Sequence, residues 1–168
     1  MIVVSDTSPI SNLAIVGQIA LLEAIFQQVI VPEMVHQELL AGASQHSEIL
    51  AALNEPWIKV AQVQNLAFVD KLRAERDLDP GEAEAIALAL ELKANRLLVD
   101  ERLGRVEAQH LGLRVTGILG ILLVAKQQKL ISAVRPLMDD LITQAGFYIR
   151  DSLYAEMLNQ TGENMPAQ

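Results

Sequence analysis

Short apolar runs alternate with helix-forming segments along the whole chain, and this alternation restricts the fold more than any other feature. It is typical of an α/β domain with a mainly parallel sheet. We predict strands at residues 2–6, 29–31, 57–63, 96–100 and 113–116, with the third at an edge of the sheet. The sequence therefore predicts parallel strands joined by helical crossovers.

Helix signals fill the intervals between these strands. The first helix is predicted to follow Ser8 as its N-cap, with Pro9 in the first turn. Further helices are predicted at 19–26, 32–40, 47–53, 66–76, 82–93, 101–111, 117–127, 133–144 and 151–158, with a candidate last strand at 147–149. The 168 residues suffice for one core, and no repeat or linker divides them. We expect one domain over 1–158 and a flexible tail over 159–168.

Two of the predicted strands end in an aspartate, Asp6 and Asp100. Because the carboxyl ends of parallel strands meet at one edge of the sheet, these two side chains are expected to lie close together. Two glutamates lie on the apolar faces of predicted helices. Glu38 follows Val35 by three residues, and Glu82 is in phase with Ile86, which places both on inward faces. Glu84 falls nearer the outer side of its helix.

Four converging carboxylates indicate a site for a hard cation. At about 4 Å and an effective dielectric of roughly 20, two carboxylates repel each other by on the order of 4 kcal/mol. A divalent cation relieves that repulsion. Taken singly, three of the acids also have a structural explanation: Glu82 complements a helix dipole, Asp100 caps the next helix, and Glu38 lies at a helix surface. Only the combination of all four favours a metal site.

Charge and composition exclude several other classes of function. The net charge of −8 argues against a protein that simply coats nucleic acid, although residues 93–135 carry eight bases against three acids. A basic region beside an acidic cluster suits a polyanionic substrate, and solvated helix faces would look similar. The lack of cysteine excludes disulfides and thiolate chemistry, and it is compatible with a cytoplasmic location. No membrane span, P-loop, dinucleotide fingerprint or nucleophile elbow is recognisable.

Several motifs together resemble the PIN domains, the nuclease fold of the VapC-type toxins. They are Asp6-Thr7-Ser8 after the first strand, the segment 31–38 ending in Glu38, Gly81-Glu82-Ala83-Glu84-Ala85-Ile86, and Leu98-Val99-Asp100. The glycine-containing segments 81–85, 113–120 and 146–147 are similar to one PIN subfamily, DUF3368. The resemblance covers about residues 1–158. It implies a three-layer α/β/α sandwich.

The resemblance also implies an activity. Asp6, Glu38, Glu82 and Asp100 would hold Mg²⁺ or Mn²⁺ for hydrolysis of phosphodiester bonds in RNA. The protein would be the toxin of a toxin–antitoxin pair, with a small antitoxin protein as partner, and it would form a homodimer. Candidates for supporting roles are Ser8, Glu84, Glu101 and Thr116, and candidates for binding RNA are Arg102 and Arg105. Glu101 departs from the subfamily, which often has a second aspartate there.

Two other interpretations of the function remain open. A PIN-fold protein that binds a partner without turnover would have the same acidic pocket. A receiver-like phosphoacceptor also has acids at strand ends, but the late strand at 113–116 ends in Thr-Gly and lacks the lysine that such a site needs.

Overall fold

A parallel sheet forms the centre of the protein in the computed structural model, which describes residues 1–164. Its five strands are β1 (Val3–Ser5), β2 (Val29–Pro32), β3 (Ile58–Ala61), β4 (Arg96–Leu98) and β5 (Val115–Thr116). They lie in the order β3-β2-β1-β4-β5, and every pairing is parallel. The predicted parallel sheet is confirmed, with β3 at an edge.

Ten helices in the described part of the chain connect and cover the strands. They are α1 (Thr7–Ile15), α2 (Ala20–Phe26), α3 (Glu33–Ala43), α4 (Ser47–Leu53), α5 (Leu66–Arg76), α6 (Pro80–Glu91), α7 (Arg102–His110), α8 (Ile118–Gln127), α9 (Arg135–Gln144) and α10 (Asp151–Gln160). None of these helices combines the length and the apolar character needed to cross a bilayer.

Two local predictions were wrong. Helix α1 begins at Thr7 with Asp6 as its N-cap, so Ser8 lies inside the first turn. The candidate last strand at 147–149 is irregular chain. Its backbone bonds to α9 instead of to the sheet, since the Phe147 amide donates to the Leu141 carbonyl at 2.9 Å.

Successive side chains of each strand enter opposite cores because they point to opposite faces of the sheet. Val3 packs on one face with Ile10 of α1 and Leu122 of α8. Val4 packs on the other face with Ile86 of α6. Each face is thus covered by its own helical layer, which confirms the three-layer α/β/α sandwich.

The strand order reverses beside β1, and this reversal positions the candidate site. The chain first builds outward from β1 through β2 to β3, and then returns to add β4 and β5 on the other side. At such a switch point the connections leave the sheet in opposite directions and open a crevice at the carboxyl ends of the strands. The Asp6 amide donates to the carbonyl of Leu98 at 2.9 Å, so the ends of β1 and β4 lie side by side.

The last described residues, up to Asn164, fold back onto the domain. Helix α10 continues to Gln160, and Glu163 beyond it accepts hydrogen bonds from the backbone amides of Val134 and Arg135 at 2.9 and 3.1 Å. Lys126 approaches the same carboxylate at 3.5 Å. Of the tail predicted over 159–168, residues 159–164 therefore have defined contacts, and 165–168 lie outside the described residues.

Replacing Glu163 with alanine is expected to destabilise the protein by about 1–2 kcal/mol, because two backbone amides lose a charged acceptor. For a chain of this size that lowers Tm by about 2–8 °C. Partial burial alone would raise the pKa of Glu163, but the bonds from Val134 and Arg135 bring it below its ordinary 4.5. A lowered carboxyl pKa stabilises the fold above pH 4.5, and this contribution is lost as pH falls below that value.

Thermal melts at pH 7 and pH 3 would measure both effects. The difference between wild type and Glu163→Ala should shrink at pH 3. Glu55→Ala is the matched control, since Glu55 is exposed and its side chain has no hydrogen bond within residues 1–164. Equal melting of Glu163→Ala and wild type at pH 7 would contradict the assigned role.

Candidate active site

Asp6 is the centre of the candidate site. It follows β1 directly and is only 4% exposed. Burial raises the pKa of its carboxyl group to about 7 against an opposing hydrogen bond from the Thr7 amide, and the charges of Asp79, Glu38 and Asp100 raise it further. Carboxylates from four separate segments of the chain thus act on one another at the end of β1.

Glu38 reaches this centre from α3, where it is half-buried. Its Oε1 accepts a hydrogen bond from the Thr7 hydroxyl at 2.5 Å. The carboxyl group lies directly on Gly81, where the Cβ of any larger residue would come within 2.9 Å of Glu38 Cδ. Burial is the main cause of the raised pKa of Glu38, and the bond from Thr7 opposes it. A glycine at 81 is what allows this close approach.

Glu82 lies in the first turn of α6 and is 7% exposed. Burial raises its pKa to about 8, and Asp79, Asp6 and Glu101 add to the shift. The carboxylate approaches α7, where a Cβ on Gly104 would lie 3.4 Å from Glu82 Oε2. Glu84 on the same helix is less buried, which follows the predicted helical phase.

Asp79 also belongs to the acidic cluster formed by Asp6, Glu38, Glu82 and Asp100, although no sequence pattern indicated it. Its Oδ1 accepts from the Glu82 amide at 2.8 Å, so it caps α6. The same carboxylate raises the pKa values of Asp6, Glu38 and Glu82. In sequence, an aspartate before Pro80 is typical of an ordinary helix start. The only available signal was its distance of three residues from Glu82.

Asp100 approaches from the end of β4. Its Oδ1 accepts from the amide of Ile118, at the start of α8, at 2.9 Å. Burial raises its pKa to about 6 against the hydrogen bond from Ile118 and the positive charge of Arg105. Its Oδ2 is buried and has no hydrogen-bond partner within residues 1–164. A buried carboxylate oxygen without a donor needs a proton or a cation.

The predicted supporting acids occupy different positions. Glu84 accepts from the Met34 amide at 3.2 Å and so ties α6 to the start of α3. Glu101 is the exposed N-cap residue of α7, and its charge raises the pKa values of Glu82 and Asp100. Glu101 is therefore near the cluster, whereas Glu84 has a contact that supports the fold.

The remaining predicted residues lie around Asp100 or on α1. Thr116 ends β5 and lines a groove with Asp100. Arg105 is half-buried, and its Nη1 donates to the Val99 carbonyl at 3.2 Å. Arg102 is exposed at the start of α7. Ser8 is half-buried in α1, and within residues 1–164 its hydroxyl makes no hydrogen bond to an acid.

The carboxylates of this site suit a hard divalent cation, although their side chains are not close enough together to coordinate one ion as they stand. Within residues 1–164, no three acidic or imidazole side chains stand close enough to share one ion. Glu38 is turned toward Thr7, and Asp100 toward the Ile118 amide. Carboxylate oxygens are the ligands that Mg²⁺ and Mn²⁺ prefer, and the free Oδ2 of Asp100 offers one of them.

The protein is thus a three-layer α/β/α domain with an acidic crevice at the switch point of its sheet. A family model described as PIN domain, DUF3368, matches residues 2–163. This protein belongs to that PIN-domain family. No curated protein and no solved structure matches the chain significantly.

Gly81→Ala is expected to show that the Glu38 carboxylate fills the space of a side chain at position 81. Alanine normally stabilises a helix by roughly 1 kcal/mol relative to glycine. Here the gain should be cancelled, because the new methyl group meets the Glu38 carboxylate. In a Glu38→Ala background the same change should raise the free energy of unfolding.

A double-mutant cycle in urea would measure this coupling, with an expected magnitude of about 1 kcal/mol. Gly42→Ala in α3 is the control, because its Cβ would meet only Ile49 Cδ1 at 3.3 Å. Additive effects of Gly81→Ala and Glu38→Ala would contradict the contact.

Proposed function

We propose that this protein is a metal-dependent endoribonuclease that hydrolyses phosphodiester bonds in RNA. One observation carries the proposal: at the switch point of the sheet the buried Asp100 Oδ2 has no hydrogen-bond partner within residues 1–164, and Asp100 lies near enough to Asp6 to raise its pKa together with Glu38 and Asp79. Membership of the PIN-domain family supports a nuclease-type fold.

Asp6, Glu38, Glu82 and Asp100 would hold one or two Mg²⁺ or Mn²⁺ ions, with Asp79 as an additional candidate. Bound metal would activate water and neutralise charge that develops on the phosphate. The chain's own residues would complete the site. Thr7 and Gly81 hold Glu38 in place, and the Ile118 amide holds Asp100.

A carboxylate of the site that does not bind the ion directly would accept the proton of the attacking water. Groups whose pKa lies near the working pH can both accept and release a proton. Without an ion the pKa values are about 7 for Asp6 and about 8 for Glu82. Direct binding of an ion to either group would displace its proton and leave this role to the other. Arg105 adds a positive charge beside Asp100, which would favour an incoming phosphate.

The biological role we propose is that of a cytoplasmic toxin controlled by a small antitoxin protein. We also propose a homodimer, because Leu40 of α3 and Leu50 of α4, two helices that pack together, are 45% and 48% exposed and offer apolar surface for pairing. Light scattering should then report about twice the monomer mass. A catalytically inactive PIN-fold binding module remains the second candidate, since it would keep the same fold and family membership.

Cleavage of single-stranded RNA in Mn²⁺ separates the two candidates. The wild-type protein should cleave, EDTA should stop cleavage, and Asp100→Asn should abolish it. Asp70→Asn, on the exposed face of α5, is the matched control and should cleave normally. Failure of the folded wild-type protein to cleave in Mn²⁺ or Mg²⁺ would favour the binding module.

A further inference from the structure

Tyr148 is held outward by its two neighbours. It is 81% exposed, whereas Ile149 after it is 8% exposed. Phe147 before it packs against the core, and its amide donates to the Leu141 carbonyl at 2.9 Å. A tyrosine between two anchored residues is displayed on a fixed segment, so little conformational entropy is lost when it binds a partner.

One face of α7 lies opposite this segment. Arg102, Arg105, Val106 and Gln109 are spaced so that they share that face of the helix. They line a pocket of about 740 Å³ together with Asp100, Tyr148, Arg150 and Leu153. The pocket therefore joins an exposed aromatic ring and three arginines directly to one of the site's acids.

Arg102, Arg105 and Arg150 form no salt bridge among residues 1–164, so their charges can act on a ligand. Arg102 and Arg150 are exposed, whereas Arg105 is half-buried and uses its Nη1 for the Val99 carbonyl. The chain as a whole carries a net charge of −8, and the acidic crevice repels phosphates. Any polyanion that reaches Asp100 needs positive charge nearby, and this pocket provides it.

We propose that this pocket binds a single-stranded segment of RNA next to the scissile position, with a base stacked on Tyr148 and flanking phosphates on Arg102, Arg105 and Arg150. The proposal rests on the proposed function for its substrate class. An aromatic side chain beside a basic track is the usual means of binding single strands, because an unpaired base leaves a ring face free to stack. A duplex would hide those faces, so single strands should bind more tightly.

Binding measured in EDTA tests the pocket separately from cleavage. The probe is a fluorescein-labelled single-stranded RNA of about 12 nucleotides at low salt, followed by anisotropy. Tyr148→Ala should weaken binding about 5- to 100-fold, whereas Tyr148→Phe should bind like wild type. Arg150→Gln should also weaken binding and should reduce the slope of log K against log salt by about 0.7. Tyr148→Ala should leave that slope unchanged.

Two further variants make the result specific. Arg73→Gln removes an exposed arginine from α5, outside this pocket, and should leave binding unchanged. Tyr148→Trp should bind RNA with quenching of the new indole, since Trp57 is buried at 7% exposure and gives a constant background.

The outcomes distinguish this proposal from the proposed function. Tight binding that depends on Tyr148 and Arg150, without cleavage in Mn²⁺, would support the pocket and overturn the nuclease. Cleavage by the wild type with equal RNA affinity for wild type and Tyr148→Ala would support the nuclease and overturn the pocket. Equal affinity for duplex and single-stranded RNA would also overturn it.

Discussion

Replacement of Glu82 with glutamine is expected to reduce Mn²⁺-dependent RNA cleavage by about 100- to 10,000-fold. Glu82 is buried at the start of α6 and interacts with both Asp79 and Asp6, so the change removes a charged ligand from the middle of the cluster. The expected loss appears in single-turnover rates at saturating Mn²⁺. Circular dichroism should show that the variant remains folded.

Glu84→Gln is the matched control for this experiment. Glu84 lies two residues further along α6 and accepts one hydrogen bond from the Met34 amide, which a glutamine oxygen can also accept. We expect its rate to fall by less than about tenfold, which is below the roughly 10- to 100-fold loss typical of residues that orient metal ligands. A larger loss for Glu84→Gln than for Glu82→Gln would mean that the wrong glutamate has been assigned to the site.

Divalent metal is expected to raise the Tm of the wild-type protein by about 5–10 °C. An ion that binds only the folded state stabilises it by roughly 2.7 kcal/mol at a hundredfold excess over its Kd. Melts in EDTA and in millimolar Mn²⁺ would measure the shift, and calorimetry would count the ions bound. Identical melts with no heat of binding would contradict a metal site.

The metal effect should depend on pH in a direction set by the buried acids. The pKa values of Asp6 and Glu82, about 7 and about 8, lie above their ordinary values of 3.8 and 4.5. Between about pH 4 and pH 8 the folded state therefore holds more protons than the unfolded state, so the metal-free protein loses stability as pH rises. Because an ion must displace these protons, its stabilisation should be larger at pH 8 than at pH 5.

The positions of the strands followed from local sequence patterns. The run that ends at Asp6 and the run that ends at Asp100 are both short and apolar, and buried parallel strands have that composition. Glu82 could be placed on the inner face of α6 because helical periodicity fixes which residues share a face. Such patterns involve neighbouring residues only, so a single sequence contains them in full.

Other features required the folded chain. An aspartate before Pro80 is typical of an ordinary helix start, and the charge of Asp79 acts on Asp6 and Glu38 only because α6 packs beside β1 and α3. Glycine is needed at position 81 because the carboxylate of Glu38, 43 positions earlier in the chain, packs against it. Nothing in the sequence pattern suggested a role for Arg150. In the folded chain it precedes α10 and lies opposite α7.

The sequence by itself determined the class of fold, the acids at two strand ends and the inward face of α6, because these depend on apolar runs and helical phase. Only the tertiary structure decided that β1 and β4 are neighbours, that Asp79 joins the acids, and that Tyr148 and Arg150 face α7. The physical reason is that strand order and helix packing depend on contacts between distant segments. Patterns among residues that are neighbours in sequence do not predict those contacts.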